Sequence, residues 1–297
     1  MLPGLYEKLL NYLTEKELEE LGKYDTRKID HSETSKVLSL AYQKMIREIL
    51  YGMKKDERIS FINDLNEHLG TDKFSVDGSN FIELLAYHND EDIINYLSEN
   101  RPRTSIANST LFTGHSGPTL ESELKREIRT ADRIDFLISF VKYSGLRLII
   151  DDLEEYTKNH KLRIITTSYM GASDYKAIIR LSELPNTEVK VSYDNNRTRL
   201  HAKAYYFERN TGFSTAYIGS SNLSNAALSK GLEWNLKVSE YTSKDVVNSF
   251  KKTFESYWND DEFVTFDPNN EDNRDELRKS LEYKKDESGP SVFFNLK

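Results

Sequence analysis

The sequence predicts an α/β protein in which a mixed sheet flanked by helices follows an α-helical N-terminal domain. Two observations lead to this fold class. The first part of the chain repeats apolar residues at three- and four-residue spacing, which is typical of amphipathic helices. From about Leu111 onward, short runs rich in β-branched and aromatic residues alternate with helical segments, and this alternation predicts a layered α/β domain.

Residues 1–106 are predicted to form the helical domain. Its two clearest segments are LYEKLLNYLTEKELEELGKY and SKVLSLAYQKMIREILYGM, each with apolar residues on one face and charge on the other. Ser32 and Thr34 precede the second segment. Either hydroxyl could supply the capping oxygen, and the sequence does not choose between them.

Residues 107–265 are predicted to form the α/β domain. Its candidate strands are IDFLISFV, LRIITTSY, TEVKVSYD, LHAKAYYFE, STAYIGSS and LEWNLKVSE. Helical periodicity marks the segments SELKREIRTAD, LRLIIDDLEEYTKN, SDYKAIIRLSEL and SKDVVNSFKKTFESYW. Residues 266–297 are too charged and too poor in apolar residues to pack well, so we expect a linker or C-terminal tail with some helix.

The composition excludes several classes of protein. The 297 residues include no cysteine, which excludes disulfide frameworks and thiolate zinc sites. No apolar run approaches the roughly 18 residues that span a bilayer, and the N-terminus lacks a signal peptide, so we expect a cytoplasmic protein with no membrane partner. The net charge of −8 argues against a surface that binds nucleic acid over its whole extent. A nucleic-acid site must therefore be local.

One local cluster of positive charge lies between Lys190 and Arg209. It contains Lys190, Arg197, Arg199, Lys203 and Arg209, opposed by Asp194 and Glu208. Taken alone, such a cluster is explained equally well by a solvated strand edge. Its interest comes from the histidine inside it.

That histidine belongs to an H-x-K pair on a predicted strand. Because side chains alternate faces along a strand, His201 and Lys203 should point the same way, while Ala202 and Ala204 face a neighbouring element. The next strand ends at Gly219 in a Gly-Ser-Ser-Asn turn, where backbone N–H groups and an amide can meet a phosphate oxygen. An H-x-K pair alone has little value as a motif, because it often occurs by chance.

The ordered set H-A-K, G-S-S-N and G-L-E-W-N resembles the phospholipase D superfamily, and within it the restriction-nuclease branch, where a glutamate follows the asparagine. The resemblance covers about residues 107–260. It implies catalytic roles for His201, Lys203, Asn222 and Glu233. It implies a weaker phosphate contact for Ser220 and leaves Glu208 as a strand-end charge.

The resemblance implies a phosphodiesterase or nuclease that acts on DNA without a metal. His201 would attack the phosphorus to give a phosphohistidine, and Lys203 and Asn222 would hold the non-bridging oxygens. Glu233 would orient the imidazole. A catalytically idle module that dimerises and binds DNA is the alternative, and lipid hydrolysis is disfavoured because no amphipathic membrane-binding segment accompanies the site.

Other marked residues are given structural roles. His31, His68, His88, His115 and His160 lack H-x-x-x-H spacing, so they predict no metal site, and no cofactor is expected. Trp234 and Trp258 are predicted to be core or half-buried anchors.

The chain holds one H-x-K, whereas the two-step mechanism needs two histidines. We therefore expect a homodimer that shares one active site, in a groove lined by Arg197 and Arg199. The helical segment before this domain also resembles the front end of bacterial superfamily-2 DEAD/DEAH-type helicases. Since G-x-x-x-x-G-K-[ST] is absent, no ATPase motor lies in the chain. Either a helicase domain follows it or the chain is a stand-alone relative.

Overall fold

The structure is a computed structural model of the chain. It describes residues 28–71, 83–114, 117–193, 200–230 and 233–282, together with Lys16 and Glu19. The chain divides into two compact units, Met1–Leu84 and Leu85–Lys297. No helix within the described ranges is long and apolar enough to cross a membrane.

The first unit is helical where it is described. It contains α1 (His31–Gly52) and α2 (Lys55–Leu69). The cap of α1 is Asp30, whose carboxylate accepts a hydrogen bond from the Ser32 N–H at 2.8 Å. The expectation of Ser32 or Thr34 as the cap was wrong, because the Ser32 hydroxyl is itself a donor to Asp30 at 2.6 Å. A carboxylate that accepts both bonds is the better N-terminal cap.

The second unit contains the sheet. Its strands are β1 (Thr110–Phe112), β2 (Arg133–Ile138), β3 (Lys161–Thr167), β4 (Thr187–Ser192), β5 (Lys203–Glu208), β6 (Thr215–Gly219), β7 (Asn235–Ser239) and β8 (Phe263–Phe266). Its helices are α3 (Glu91–Asn100), α4 (Leu120–Thr130), α5 (Tyr143–Thr157), α6 (Tyr175–Ser182), α7 (Lys244–Trp258) and α8 (Glu271–Leu281). Short helical turns also occur at Tyr169–Gly171 and Ala226–Lys230.

The strand order is β1-β7-β6-β5-β2-β3-β4-β8. Strands β2, β3 and β4 are parallel, and every other pairing is antiparallel. The predicted mixed sheet flanked by helices is therefore confirmed. Strands β1 and β8 were not predicted, because three and four residues are too short for an alternating pattern to stand out.

The boundary between the units differs from the predicted one at residue 106. Helix α3, which the sequence assigned to the helical domain, belongs to the second unit. Arg126 of α4 donates to the carbonyl oxygens of Glu99 at 2.8 Å and Arg101 at 2.9 Å, at the end of α3. Hydrophobic periodicity does not predict that α3 is attached to α4, because this contact is made through main-chain carbonyl groups rather than through an apolar face.

Part of the predicted charged tail is also packed. Helix α8 lies in residues 266–297, and its Leu277 is fully buried among the residues of the main core. Gly171, at φ 60°, lies so close to the carbonyl of Leu281 that a Cβ atom there would overlap it. One buried leucine in a strongly charged helix gives a weak sequence signal, so the composition concealed this contact.

The two faces of the sheet have separate cores. Helices α4, α5, α6 and α8 cover one face and contribute to the main core with β2, β5 and β6. Helix α7 covers part of the other face, where Phe254 packs with Leu137, Ile165 and Ala204. Ala204 thus occupies the position expected for it, beneath a helix.

A buried ion pair joins α4 to the sheet. The carboxylate of Glu127 accepts hydrogen bonds from Arg209 at 2.6 Å, Thr215 at 2.9 Å and Tyr217 at 2.9 Å. Glu127 is fully buried and Arg209 is nearly so. A charge pair removed from water in this way is tolerated only because its hydrogen bonds are satisfied.

We expect Glu127→Ala to lower the free energy of unfolding by about 3–5 kcal/mol, because it leaves Arg209 as an uncompensated buried charge. Urea denaturation followed by circular dichroism measures this. The matched control is Glu121→Ala on the same helix, whose partly exposed pair with Lys125 contributes roughly 0.3–0.5 kcal/mol. Equal losses in the two variants would show that the buried pair has no special structural role.

Candidate active site

The antiparallel pairing of β5 brings several strand ends together. Ile138 at the end of β2 pairs with Lys203 at the start of β5, and Gly219 at the end of β6 pairs with Asn235 at the start of β7. The described candidate residues all lie at or next to this end of the sheet: His201, Lys203, Ser220, Asn222 and Glu233. Arg197 and Arg199, the predicted groove residues, lie outside the described residues.

His201 and Lys203 are in direct contact. The Nζ atom of Lys203 lies 3.2 Å from Nδ1 and 3.3 Å from Nε2 of His201, and it donates to the His201 carbonyl at 2.9 Å. Strand β5 begins only at Lys203, so His201 precedes the strand rather than lying on it. The segment is still held in place, because the N–H and the hydroxyl of Ser139 both donate to the carbonyl of Ala202 at 2.9 Å.

The two side chains differ in exposure. His201 is exposed, whereas only 8% of Lys203 is accessible to solvent. Burial lowers the pKa of the Lys203 ammonium, and the negative charge of Glu233 opposes that shift. Among the described residues, the hydrogen-bond partner of this ammonium is His201 rather than a carboxylate. The site therefore presents a nucleophilic imidazole beside a cation that is largely shielded from water.

Asn222 holds the loop after β2 against the site. Its Oδ1 accepts a hydrogen bond from the Phe140 N–H at 3.1 Å. Because an N–H group can face only an acceptor, this bond fixes which end of the amide is the oxygen and directs Nδ2 elsewhere. The ring of Phe140 meets His201 edge-on, with centroids 6.2 Å apart. Sequence reasoning did not identify Phe140, since no motif marks it.

Buried polar side chains hold the turn after β6 in place. Asn235 donates from Nδ2 to the Ser221 hydroxyl at 2.7 Å and accepts from the Ser221 N–H at 3.4 Å. The hydroxyl of Tyr205 donates to the Ser221 carbonyl at 3.0 Å. Asn235 is the last residue of G-L-E-W-N, so the signal was present in the sequence but was not used.

Two close approaches explain glycines at the site. A Cβ atom on Gly219 would overlap the carbonyl of Trp234 and the side chain of Asn235. A Cβ atom on Gly145, in the first turn of α5, would overlap the backbone of Leu223 and Ser224. Glycine at these positions lets the turn after β6 pack against both β7 and α5.

Glu233 is bound by Ser220. The Ser220 hydroxyl donates to the Glu233 carboxylate and accepts from the Trp234 N–H at 3.1 Å. Ser220, which was expected to contact phosphate, is thus hydrogen-bonded to the two residues that precede β7. No hydrogen bond joins Glu233 to His201 among the described residues, although the Glu233 charge raises the pKa of both Lys203 and Tyr205.

The two tryptophans lie in different environments. Trp258 is a half-buried anchor as predicted, stacked on Phe254 with centroids 5.8 Å apart. The prediction for Trp234 was wrong, because 65% of this residue is exposed. Its position on the sheet lies beyond the part that α7 covers, which cannot be read from local sequence.

The residues that the structure describes contain no group of three or more His, Asp or Glu side chains placed to hold a metal ion. The polar groups gathered at the strand ends are instead an imidazole, an ammonium, an amide, a hydroxyl and a carboxylate. This set can supply a nucleophile and cationic or hydrogen-bond donors for an anion.

Comparison with known proteins finds one similar family and several similar structures. Residues 124–258 match the family described as "Cardiolipin synthase, PLD-like domain". Similar solved structures include NucT from Helicobacter pylori, at 18% identity and a TM-score of 0.38, which covers 54% of this chain and 99% of that chain. Nuc from Salmonella typhimurium, described as a phospholipase D family member, has 17% identity, a TM-score of 0.40 and the same coverage.

Phosphatidylserine synthase from Haemophilus influenzae has 14% identity and a TM-score of 0.39, covering 58% of this chain and 44% of that chain. No curated protein sequence matches the chain. The matched residues 124–258 include every candidate site residue, so the candidate active site lies within the region that is similar to this family.

Proposed function

We propose that this chain is a metal-independent nuclease that cleaves DNA phosphodiesters through a phosphohistidine intermediate. The observation that carries the proposal is the contact between His201 and Lys203, in which Nζ lies within 3.3 Å of both ring nitrogens. A phosphate that approaches the imidazole must also approach this ammonium. The nucleophile and the group that stabilises the developing charge are thus side by side.

The reaction divides into two displacements. A ring nitrogen of His201 bonds to phosphorus while the bond to the leaving oxygen breaks, and a second histidine gives that oxygen a proton. The second histidine then removes a proton from water, whose oxygen displaces His201 and releases the phosphomonoester. Lys203 holds a non-bridging oxygen in both steps. Asn222 donates from the Nδ2 end of its amide, which its bond to Phe140 directs away from the loop.

Glu233 and Ser220 act together in this proposal. Glu233 orients an imidazole, and the Ser220 hydroxyl fixes the carboxylate through the hydrogen bond they share. Ser220 thereby contributes to the site through Glu233. Its N–H donates to the carbonyl of Trp234 at 3.1 Å, which holds the serine in place.

A catalytically idle DNA-binding module is the alternative. The burial of Lys203 argues against it, because moving an ammonium out of water costs free energy unless a partner compensates. Arg209 has Glu127 as such a partner, whereas Lys203 faces an imidazole. A bound phosphodiester would supply the anionic partner that Lys203 lacks among its described hydrogen bonds.

We propose further that two copies of the chain share one active site, since the sequence holds a single H-x-K and the mechanism needs two histidines. The second copy supplies the acid and base histidine. We also propose that the domain is a module of a DNA-processing protein, with a helicase domain as its partner.

Nuclease activity is expected to persist in EDTA at about its rate in Mg²⁺, because Lys203 and Asn222 supply the stabilisation that a metal would give. The assay follows single- and double-stranded DNA on a gel. His201→Ala should abolish cleavage, while the control His160→Ala, which removes a histidine stacked on Tyr156 away from the site, should not. A strict requirement for Mg²⁺ would exclude this mechanism.

The pH profile should report Lys203. Only the protonated ammonium stabilises the phosphate, so kcat/KM falls as pH rises through its pKa, which burial lowers and Glu233 raises. Glu233→Gln removes the opposing charge, so the Lys203 pKa falls further and the alkaline limb moves to lower pH. The profile is measured with a chromogenic phosphodiester, and Glu240→Gln, at the other end of β7, is the control. An alkaline limb that stays in place in Glu233→Gln would contradict the role of Lys203.

Mixing experiments test the shared site. When His201→Ala protein is mixed with wild type and allowed to exchange subunits, activity should fall faster than the wild-type fraction. Each heterodimer has only one of the two His201 side chains that the mechanism needs. Activity at several mixing ratios gives the curve, and sedimentation gives the oligomeric state. A fully active monomer, or a strictly linear curve after exchange, would refute the shared site.

A further inference from the structure

Part of one sheet face is left open beside the site. Leu111, Leu236 and Ile218 are direct cross-strand neighbours on β1, β7 and β6, and they are 50%, 43% and 40% exposed. The same row continues through Ala204 and Leu137, which are buried beneath α7. This row is therefore apolar from β1 to β2, but α7 covers only its β5 and β2 members.

Trp234 stands at the end of this open part that is nearest the site. It lies immediately before β7 and two residues before Leu236, so the alternation of the strand, continued by one residue, places it on the same face of the sheet. Its N–H donates to the Ser220 hydroxyl and its carbonyl accepts from the Ser220 N–H, both at 3.1 Å. The adjacent Glu233 carboxylate binds the same hydroxyl. The main chain of Trp234 is thus held next to the candidate catalytic groups, and its indole is exposed there.

We propose that Trp234 is a stacking platform for an unpaired nucleobase of the substrate, and that the site therefore prefers single-stranded nucleic acid. This inference rests on the proposed nuclease function. Every base has a π-face that stacks on an indole, so the contact is tolerant of sequence. In a duplex the bases are already stacked and paired, and freeing one costs free energy. Leu236 and Ile218 provide an apolar surface beside the stacked base.

Two other occupants fit the patch less well. A stable protein interface uses roughly 20–30 residues on each side, whereas Leu111, Ile218, Trp234 and Leu236 are four. An anionic lipid surface attracts clustered lysine and arginine, but none of these four residues is basic, and the chain carries a net charge of −8. An exposed aromatic side chain beside a phosphate site suits a nucleotide chain, whose bases stack on it.

Fluorescence tests the contact directly, because the chain has only two tryptophans. In a His201→Ala, Trp258→Phe protein, Trp234 is the sole indole and the substrate is not cleaved. Titration with oligodeoxythymidylate should quench its emission, and a duplex of equal length should quench it much less. A blue shift on raising the protein concentration, or on adding phosphatidylglycerol vesicles, without quenching by the oligonucleotide, would overturn the inference in favour of a second copy or a lipid surface.

The affinity for the oligonucleotide provides a second measurement, made in proteins that keep Trp258. Trp234→Leu in the His201→Ala background should weaken binding of the oligonucleotide about tenfold or more, equivalent to about 1.4 kcal/mol. The matched control is Tyr241→Leu, which removes an equally exposed aromatic, at 67%, just beyond the opposite end of β7. Its affinity should equal that of the parent, and equal affinities in all three proteins would refute the stacking role.

The failure of this inference can be separated from failure of the nuclease proposal. Hydrolysis of methyl p-nitrophenyl phosphate by the wild-type chain reports the phosphodiesterase chemistry without a nucleobase. Hydrolysis of this ester together with full oligonucleotide affinity in Trp234→Leu would refute the stacking platform alone. Quenching by the oligonucleotide without hydrolysis of the ester would refute the enzyme and leave the binding role of Trp234 intact.

Discussion

The antiparallel insertion of β5 between β2 and β6 is the constraint on which the candidate site depends. Since β2, β3 and β4 run parallel, their C-terminal ends lie at one edge, and a strand that runs the other way begins there. Lys203 is the first residue of that strand, and the loop after β2 and the turn after β6 flank it. The hydrogen bond from Phe140 to Asn222 joins these two flanks. The polar groups meet because of strand direction.

Two buried cations, Arg209 and Lys203, have different kinds of partner. Arg209 is matched by a buried carboxylate with further donors around it, and such a pair is costly to break although it adds little net stability. Lys203 is also largely buried, but its neighbour is an imidazole and Glu233 acts on it from farther away. The His201 carbonyl and the charge of Glu233 offset only part of the cost of burying Lys203, since its pKa remains lowered. A bound phosphate would offset the remaining cost.

Sequence reasoning succeeded where the signal was local. The two-residue spacing of His201 and Lys203 was enough to place them together, and the long alternating runs revealed β2 to β7. It failed where the outcome depends on distant parts of the chain. The exposure of Trp234 follows from where α7 stops covering the sheet, and the packing of α8 depends on two leucines, Leu277 and Leu281. Phe140 has no distinguishing pattern, because its role comes from a bond to a residue 82 positions later.

The acidity of the chain limits how it can hold a polyanion. With a net charge of −8, most of the surface repels DNA at long range, so affinity must come from short-range contacts at the site. A desolvated ammonium and an exposed indole are such contacts, since neither depends on a broad positive field. In the proposed nuclease they would act on adjacent parts of one nucleotide, with Lys203 at the phosphate and Trp234 at the base. Ser220 connects the two regions through its bonds to Glu233 and Trp234.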